Sequence, residues 1–267
     1  MARMTRGLED DLLRDRVVLV SGGTSGLGAA VADAALRNGA TVVVTGRRRD
    51  VGEAYVARAR EAGGTADYVP CDVGDVDQVR AAVDRTVELH GRVDALASCA
   101  GTTTRGTLLE TTPALLAEHL AVNTTGPFFL IQAVVRDMVR RGTGGSIVQV
   151  VTMSAHGGQP YLAAYVTSKA ALLGLTKNVA HAHRFDRIRV NAVNIGWTDT
   201  EGEDETQRRF HGAEDGWQAR AGAELPMGRL GDPAEIADLV VFLLSDRSGV
   251  VTGSVIDWDQ AVPGAYD

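Results

Sequence analysis

Short apolar runs alternate with amphipathic stretches from one end of the chain to the other. The runs Val17–Val20, Thr41–Thr45, Ala66–Val69, Val93–Ala97, Ser146–Val151, Ile188–Val193 and Ser254–Trp258 are rich in Val and Ile and bounded by Gly, Asp or Asn. Strands buried on both faces of a parallel sheet have this character. Between them the spacing turns helical. Leu27–Asn38 carries apolar or alanine positions on one face, and Val76–His90 sets Val76, Val79, Val83 and Val87 at steps of three or four. Helical patterns also cover Pro113–Val122, Phe128–Arg140, Tyr161–Ala182 and Pro233–Leu244. This βαβα rhythm predicts an α/β fold: a single doubly wound parallel sheet of about seven strands with helices on both faces.

One stretch, Thr198–Leu225, breaks the rhythm. It is polar, has no strand pattern and follows the sixth strand. A lid over a ligand crevice would fall there, at about 198–225; a solvated surface helix pair is the alternative. No internal repeat or low-complexity segment appears, so residues 1–267 are expected to form one domain.

Composition narrows the class. With 45% hydrophobic and 23% charged residues, the chain is too apolar for disorder. The net charge of −7 argues against bulk nucleic-acid binding, which needs a basic face. Cys71 and Cys99 form no CxxC pair and fit a reduced cytosol as small apolar fillers. The N-terminus, MARMTRGLEDDLLRDR, has no signal-peptide core, and the apolar runs are far shorter than a membrane span. The expectation is a soluble, cytoplasmic protein with no membrane partner.

The first strand runs into Ser21-Gly22-Gly23-Thr24-Ser25-Gly26-Leu27-Gly28, followed by a helix pattern. Glycines there permit positive φ and close backbone approach to a pyrophosphate, which the helix N-terminus attracts. Thr24 and Ser25 can add hydroxyl donors. Strand before and helix after are the context a dinucleotide-binding, Rossmann-like turn requires, so Gly22, Thr24, Ser25, Gly26, Leu27 and Gly28 are expected to bind a cofactor. The second strand ends Gly46-Arg47-Arg48-Arg49, with glycine where an acid would meet the ribose hydroxyls. Arg47 and Arg48 instead suit a 2′-phosphate, favouring NADP(H) over NAD(H). Asp72, in Cys71-Asp72-Val73 after the third strand, can accept from an adenine amino group or cap a turn.

Tyr165 and Lys169 lie four apart in a helical segment, on one face. A phenol titrates near 10, and a lysine ammonium roughly 4 Å away is worth about 4 kcal/mol at an effective dielectric near 20. Lowering the phenol by about two units needs about 2.7 kcal/mol. The spacing therefore supports a tyrosine base activated by its lysine neighbour.

With these motifs in place, residues 15–260 resemble the short-chain dehydrogenase/reductase family. The glycine turn, Asp72, the Asn123 of Val122-Asn123-Thr124, the Tyr165–Lys169 pair and the segment Arg229-Leu230-Gly231-Asp232-Pro233-Ala234-Glu235-Ile236-Ala237 match its motifs in order. The resemblance implies hydride transfer between a secondary alcohol and a ketone, or a sugar hemiacetal and lactone. Tyr165 is then acid/base and Lys169 holds the cofactor ribose, with Asn123 anchoring a proton-relay water. Thr152 stands where the family's serine falls, and Ser154 is a second candidate hydroxyl. The resemblance also implies cofactor contacts from Val73, Ala100, Gly101, Thr198 and Thr200. It suggests a homotetramer or homodimer built on the helices of Phe128–Arg140 and Tyr161–Ala182. Ser98-Cys99-Ala100-Gly101 departs from the family's Asn-Asn-Ala-Gly, which touches local hydrogen bonding rather than catalysis.

His181 and His183, two apart on a helix, diverge rather than chelate, and no metal is expected. His156, in the loop after Thr152, is weighed equally as a substrate contact and a structural residue. Trp197 either walls the pocket or packs beneath the lid. The candidate pocket residues Thr102, Thr103, Thr104, Ser154, His156, Gln159, Trp197 and His211 are mostly hydrogen-bonding. They point to a small polar substrate such as a sugar or polyol. A 3-oxoacyl reductase, which would need a basic patch at the crevice, and a non-catalytic NADP-binding sensor are the rival readings.

Overall fold

The computed structural model describes residues 11–264. The first ten residues of the N-terminal stretch read above lie outside the described residues.

Seven parallel strands form one sheet in the order β3-β2-β1-β4-β5-β6-β7. They are β1 (Val17–Ser21), β2 (Thr41–Gly46), β3 (Thr65–Pro70), β4 (Ala95–Ser98), β5 (Gly145–Thr152), β6 (Ile188–Ile195) and β7 (Val255–Trp258). Each lies within two residues of an expected run at either end. Register is continuous, with Val18 beside both Val42 and Ala95 and Val148 beside Asn191. Strands β1, β2, β4 and β5 are almost wholly buried, which is why their sequences are apolar without alternation.

Helices cover both faces. On one, α1 (Gly26–Arg37), α2 (Arg49–Glu61) and α9 (Pro233–Leu244) bury Val31, Ala35, Tyr55, Val240 and Leu243 against alternate strand residues. On the other, α3 (Val76–His90) and α5 (Gly126–Arg141) bury Val79, Val83, Ile131, Val134 and Met138. Caps fix the ends. Asp75 accepts from the Asp77 and Gln78 amides to start α3, and Gly91, left-handed at φ 77°, ends it. Asp232 followed by Pro233 starts α9, and Thr112 followed by Pro113 starts α4 (Pro113–Leu120). α3 and α9 begin and end where the sequence pattern places them.

The helix α2 is not in the sequence reading. Its inner face is only Gly52, Tyr55, Val56 and Ala59. A Cβ on Gly52 would lie 2.3 Å from the Tyr68 ring, so the aromatic residue of β3 imposes a glycine in mid-helix and erases an apolar marker. Between α4 and α5, Ala121–Thr125 forms one π turn, which carries Asn123. The long helix α6 (Ala163–Ala182) follows a 3₁₀ turn at Met153–His156. After β6, the irregular segment folds as α7 (Glu201–His211) and α8 (Trp217–Ala223).

Strand order reverses direction between β1 and β4. In open α/β sheets the crevice beyond the carboxyl ends of the strands at such a point is the ligand site. The glycine turn leaves β1 there and Thr152 ends β5. Among the described residues, no helix is long and apolar enough to cross a membrane.

Candidate active site

The cradle for a dinucleotide starts at β1. Gly22 has φ 72°, and a Cβ on it would lie 2.8 Å from the Ala100 backbone. A Cβ on Gly28 would lie 2.0 Å from the Gly22 carbonyl oxygen, so the helix can approach the strand this closely only as glycine. Gly26, at φ 52°, has no neighbour to its missing Cβ nearer than Thr200 at 3.9 Å. Helix α1 begins with no side-chain cap and no acid in its first turn. Its first N–H groups and positive dipole end are therefore free for an anion. These features fit a pyrophosphate.

At the tip of β2, Arg47 and Arg48 are exposed. Arg48 Nη2 donates to Ser25 Oγ at 3.2 Å, which brings its guanidinium to the glycine turn. A Cβ on Gly46 would meet Thr24 Oγ1 at 2.8 Å, so the expected acid position is closed by Thr24. Asp72 Oδ1 accepts from Gly74 N at 2.9 Å, making the turn that was the alternative reading of this residue. The Val73 side chain is buried in the core against Gly126, so a cofactor contact there would come from its backbone.

A cleft of about 820 Å³ opens at the carboxyl ends of β4, β5 and β6. Leu27, Gly101, Thr152, Ser154, Tyr165, Lys169, Trp197, Thr198 and Thr200 all line it. Thr152 ends β5, where its Oγ1 accepts from Ser154 N at 3.2 Å, and it lines the same cleft as Tyr165. Asn123 is fully buried. Its Oδ1 accepts from Thr102 N at 2.8 Å, and its Nδ2 donates to Thr102 O at 2.9 Å and Ser168 Oγ at 3.0 Å. Its side chain is thus committed to fixing the loop after β4 against α6. A Cβ on Gly101 would meet Lys169 Nζ at 3.2 Å and Asn123 Oδ1 at 3.3 Å, so Gly101 lets the three groups converge.

Burial dominates the electrostatics of both Tyr165 and Lys169. Burial pushes the Tyr165 phenol above its usual range, Thr152 draws it down, and the nearby charges acting on it are Glu203 (upward) and Arg105 (downward). Lys169 is shifted in the opposite direction. Its Nζ donates to the Val150 carbonyl at 3.2 Å, and burial lowers the ammonium to about 8. One helical turn brings the two Cβ atoms to one face, and from there Lys169 reaches inward to the β5 backbone. Cys99 lies beside Lys169, and burial raises its thiol to about 12, so it is an inert thiol.

His156 takes the structural one of its two readings and not the substrate contact, since it does not line the cleft. Gly157 and Gly158, both at positive φ, turn the chain after it. Its Nε2 lies 3.1 Å from Asp257 Oδ1 and 3.2 Å from Asn194 Nδ2, which anchors the loop to β7. Ser154 remains in the cleft, donating to Gln159 Oε1 at 2.5 Å. Trp197 meets both of its readings: it lines the cleft and stacks on Trp217 of α8 at 5.8 Å, donating to Glu203 Oε1 at 2.8 Å. Thr198 donates to Gly196 O, and Thr200 caps α7 by accepting from Glu203 N at 3.1 Å. Thr102, Thr103, Gln159 and His211 also line the cleft, whereas Thr104 does not.

Arg105, Tyr161 and Gln207 line it too and were not singled out from the sequence, and so does Glu203, one of the acids Glu201–Glu205 that the sequence offers either as a solvated helix start or as a contact for substrate hydroxyls. For Arg105 the available signal was a lone cation four residues beyond Gly101, and for Glu203 and Gln207 the i,i+4 spacing on α7.

Comparison with known proteins agrees with this geometry. Residues 22–261 match the family model described as enoyl-(acyl carrier protein) reductase. The chain is 35% identical to an NADP-dependent (R)-specific alcohol dehydrogenase of Lentilactobacillus kefiri, covering 96% of this chain and 98% of that one. It is 35% identical to an L-rhamnose 1-dehydrogenase (NAD(P)(+)) of Azotobacter vinelandii, covering 91% and 94%. The crystal structure of an actinorhodin polyketide ketoreductase with NADPH superposes with a TM-score of 0.87 at 30% identity, covering 94% and 98%. The chain belongs to the short-chain dehydrogenase/reductase family of oxidoreductases.

Proposed function

We propose that this protein interconverts a secondary alcohol and a ketone on a small polar substrate such as a sugar or polyol, with NADP(H) preferred over NAD(H). The observation that carries the reading is the convergence of Tyr165, Thr152 and Lys169 on the wall of one cleft at the carboxyl ends of the strands. The bound nicotinamide supplies the hydride acceptor or donor. Tyr165 takes the carbinol proton in oxidation and returns it in reduction. Thr152, held by Ser154 N, orients the reacting oxygen. Lys169 offers its ammonium to the cofactor ribose and Asn123 holds the loop that frames it. Gly22, Gly26 and Gly28 with the start of α1 take the pyrophosphate, and Thr198 and Thr200 approach from the opposite side.

The NADP preference is supported by Arg48 at the glycine turn and by Thr24 closing position 46 to an acid. The polar substrate is supported by Thr103, Gln159, Gln207 and His211 in the cleft wall. Two short helices, α7 and α8, form the lid over it. The cleft lining holds only two basic residues, Arg105 and Lys169, which is not the basic patch a 3-oxoacyl carrier would need. A dimer or tetramer through α5 and α6 fits the exposed Phe128 and Val139 on α5. The charge balance and the free cysteines suit a cytoplasmic enzyme.

The test is Tyr165→Phe. It keeps the ring and removes the proton carrier, so turnover of any accepted alcohol falls by at least about 10²-fold while NADP(H) affinity holds. Near-normal turnover in that variant would refute the assignment.

A further inference from the structure

One cation in the cleft is built as if for a ligand. Arg105 sits half-buried on the loop between β4 and α4, away from the glycine turn and on the side of the cleft closed by α7. Its Nε donates to His211 Nε2 at 3.0 Å and its Nη1 to Thr103 Oγ1 at 3.2 Å. Its guanidinium carbon lies 5.4 Å from the Tyr161 ring centroid and 5.8 Å from that of Phe210. Both hydrogen-bond partners are neutral acceptors, because His211 must present an unprotonated Nε2 to Arg105. A guanidinium carries five N–H donors, and two are spent. The other three meet no acceptor among the described residues, and no carboxylate there pairs with Arg105. Neither of the two acids lining the cleft pairs with Arg105: Glu203 accepts from Trp197 and Gln207, and Asp259 forms no ion pair among the described residues.

An unpaired, partly desolvated cation is costly, and here it is also held in place by rings and hydrogen bonds. A planar fork fixed in this way matches a carboxylate or phosphate edge. Arg105 and Tyr165 line the same cleft, so one molecule can reach both.

We propose that Arg105 is the receptor for an oxyanion substituent on the substrate, a carboxylate or phosphate carried by the same molecule whose carbinol faces Tyr165. This deepens the oxidoreductase reading above and rests on it. The substrate class becomes acidic polyols, sugar acids or sugar phosphates rather than neutral sugars.

The experiment compares wild type with Arg105→Gln and Arg105→Lys, each loaded with NADP(H). The probes are two matched pairs: methyl 3-oxobutanoate against 3-oxobutanoate, and dihydroxyacetone against dihydroxyacetone phosphate. Binding is read from quenching of Trp197, which lines the cleft, and turnover from NADPH absorbance. In wild type at least one anion is expected to bind about tenfold or more tightly than its neutral partner; the pair that shows it identifies carboxylate or phosphate. Arg105→Gln brings that ratio close to one, and Arg105→Lys keeps the charge but not the fork and falls between. Equal binding within both pairs in wild type, or a ratio that survives Arg105→Gln, overturns the proposal. Arg105-dependent anion binding without turnover of any ketone would leave the subsite standing and count against the oxidoreductase reading alone. Turnover with no anion preference would do the reverse.

Discussion

At the scale of single residues, the site is assembled by burial as much as by charge. Lys169 illustrates this. It is 5% exposed, and desolvation brings its ammonium from 10.5 down to about 8. The sign of the consequence follows from proton counts. Below about pH 8 the folded and unfolded chains both hold the proton, and the fold carries the full cost of a buried ammonium. Between about pH 8 and 10.5 the folded chain has released its proton while the unfolded chain keeps it, so the cost recedes as pH rises. At about 1.4 kcal/mol per pH unit the cost near neutrality is about 3 kcal/mol. Lys169→Met is therefore expected to raise the melting temperature of the cofactor-free protein at pH 7, with the gain shrinking towards pH 10, while turnover is lost. Calorimetry at the two pH values checks it; a variant less stable than wild type at pH 7 would contradict it.

Tyr165, Lys169 and Asn123 were legible in the sequence because their spacing and their neighbours are distinctive. Where the Lys169 ammonium ends was not. Spacing on a helix fixes where a Cβ starts, not where a four-carbon side chain ends, and the Val150 carbonyl is brought to Lys169 by β5, remote in sequence. The place of His156 was hidden for the same reason: its partners Asp257 and Asn194 come from β7 and β6.

At the scale of elements, the glycine turn, the bare start of α1 and the tip of β2 act together. Arg48 touches the turn through Ser25, and Arg47 stands beside it. A charge-assisted contact to a phosphate is worth about 1.5–3 kcal/mol. The double substitution Arg47→Ala with Arg48→Ala is thus expected to lower the ratio of kcat/KM for NADP to that for NAD by about 10-fold or more. Steady-state kinetics with both cofactors measures it, and an unchanged ratio would remove the arginines from cofactor selection. Elements with strong caps, α3 and α9, were legible to the residue. Helix α2 was not, since Gly52 and a largely polar face hide its period, and neither was the π turn at Asn123, which has no local marker. The stretch after β6 stood out by its broken rhythm, but its two helices owe their packing to the Trp197–Trp217 stack and the Thr200 cap.

At the scale of the whole molecule, the strand order places every proposed catalytic group at one edge of one sheet. The reversal between β1 and β4 opens the crevice, β5 delivers Thr152, and α6 carries Tyr165 and Lys169 alongside it. The alternation of buried runs and amphipathic stretches made this architecture readable, because parallel strands covered on both faces leave little freedom in composition. The cleft wall opposite was less readable. Arg105, Glu203 and Gln207 come from two separate segments whose approach is set by tertiary packing alone.

The most direct test of the central claim is a crystal structure of the enzyme with NADP⁺ and a turned-over alcohol bound together. The alcohol oxygen is expected about 2.6–3.2 Å from Tyr165 Oη, with the Thr152 hydroxyl in contact with the same oxygen. An alcohol held beyond hydrogen-bond reach of that phenol, or a nucleotide lying away from the Gly22–Gly28 turn, would contradict it.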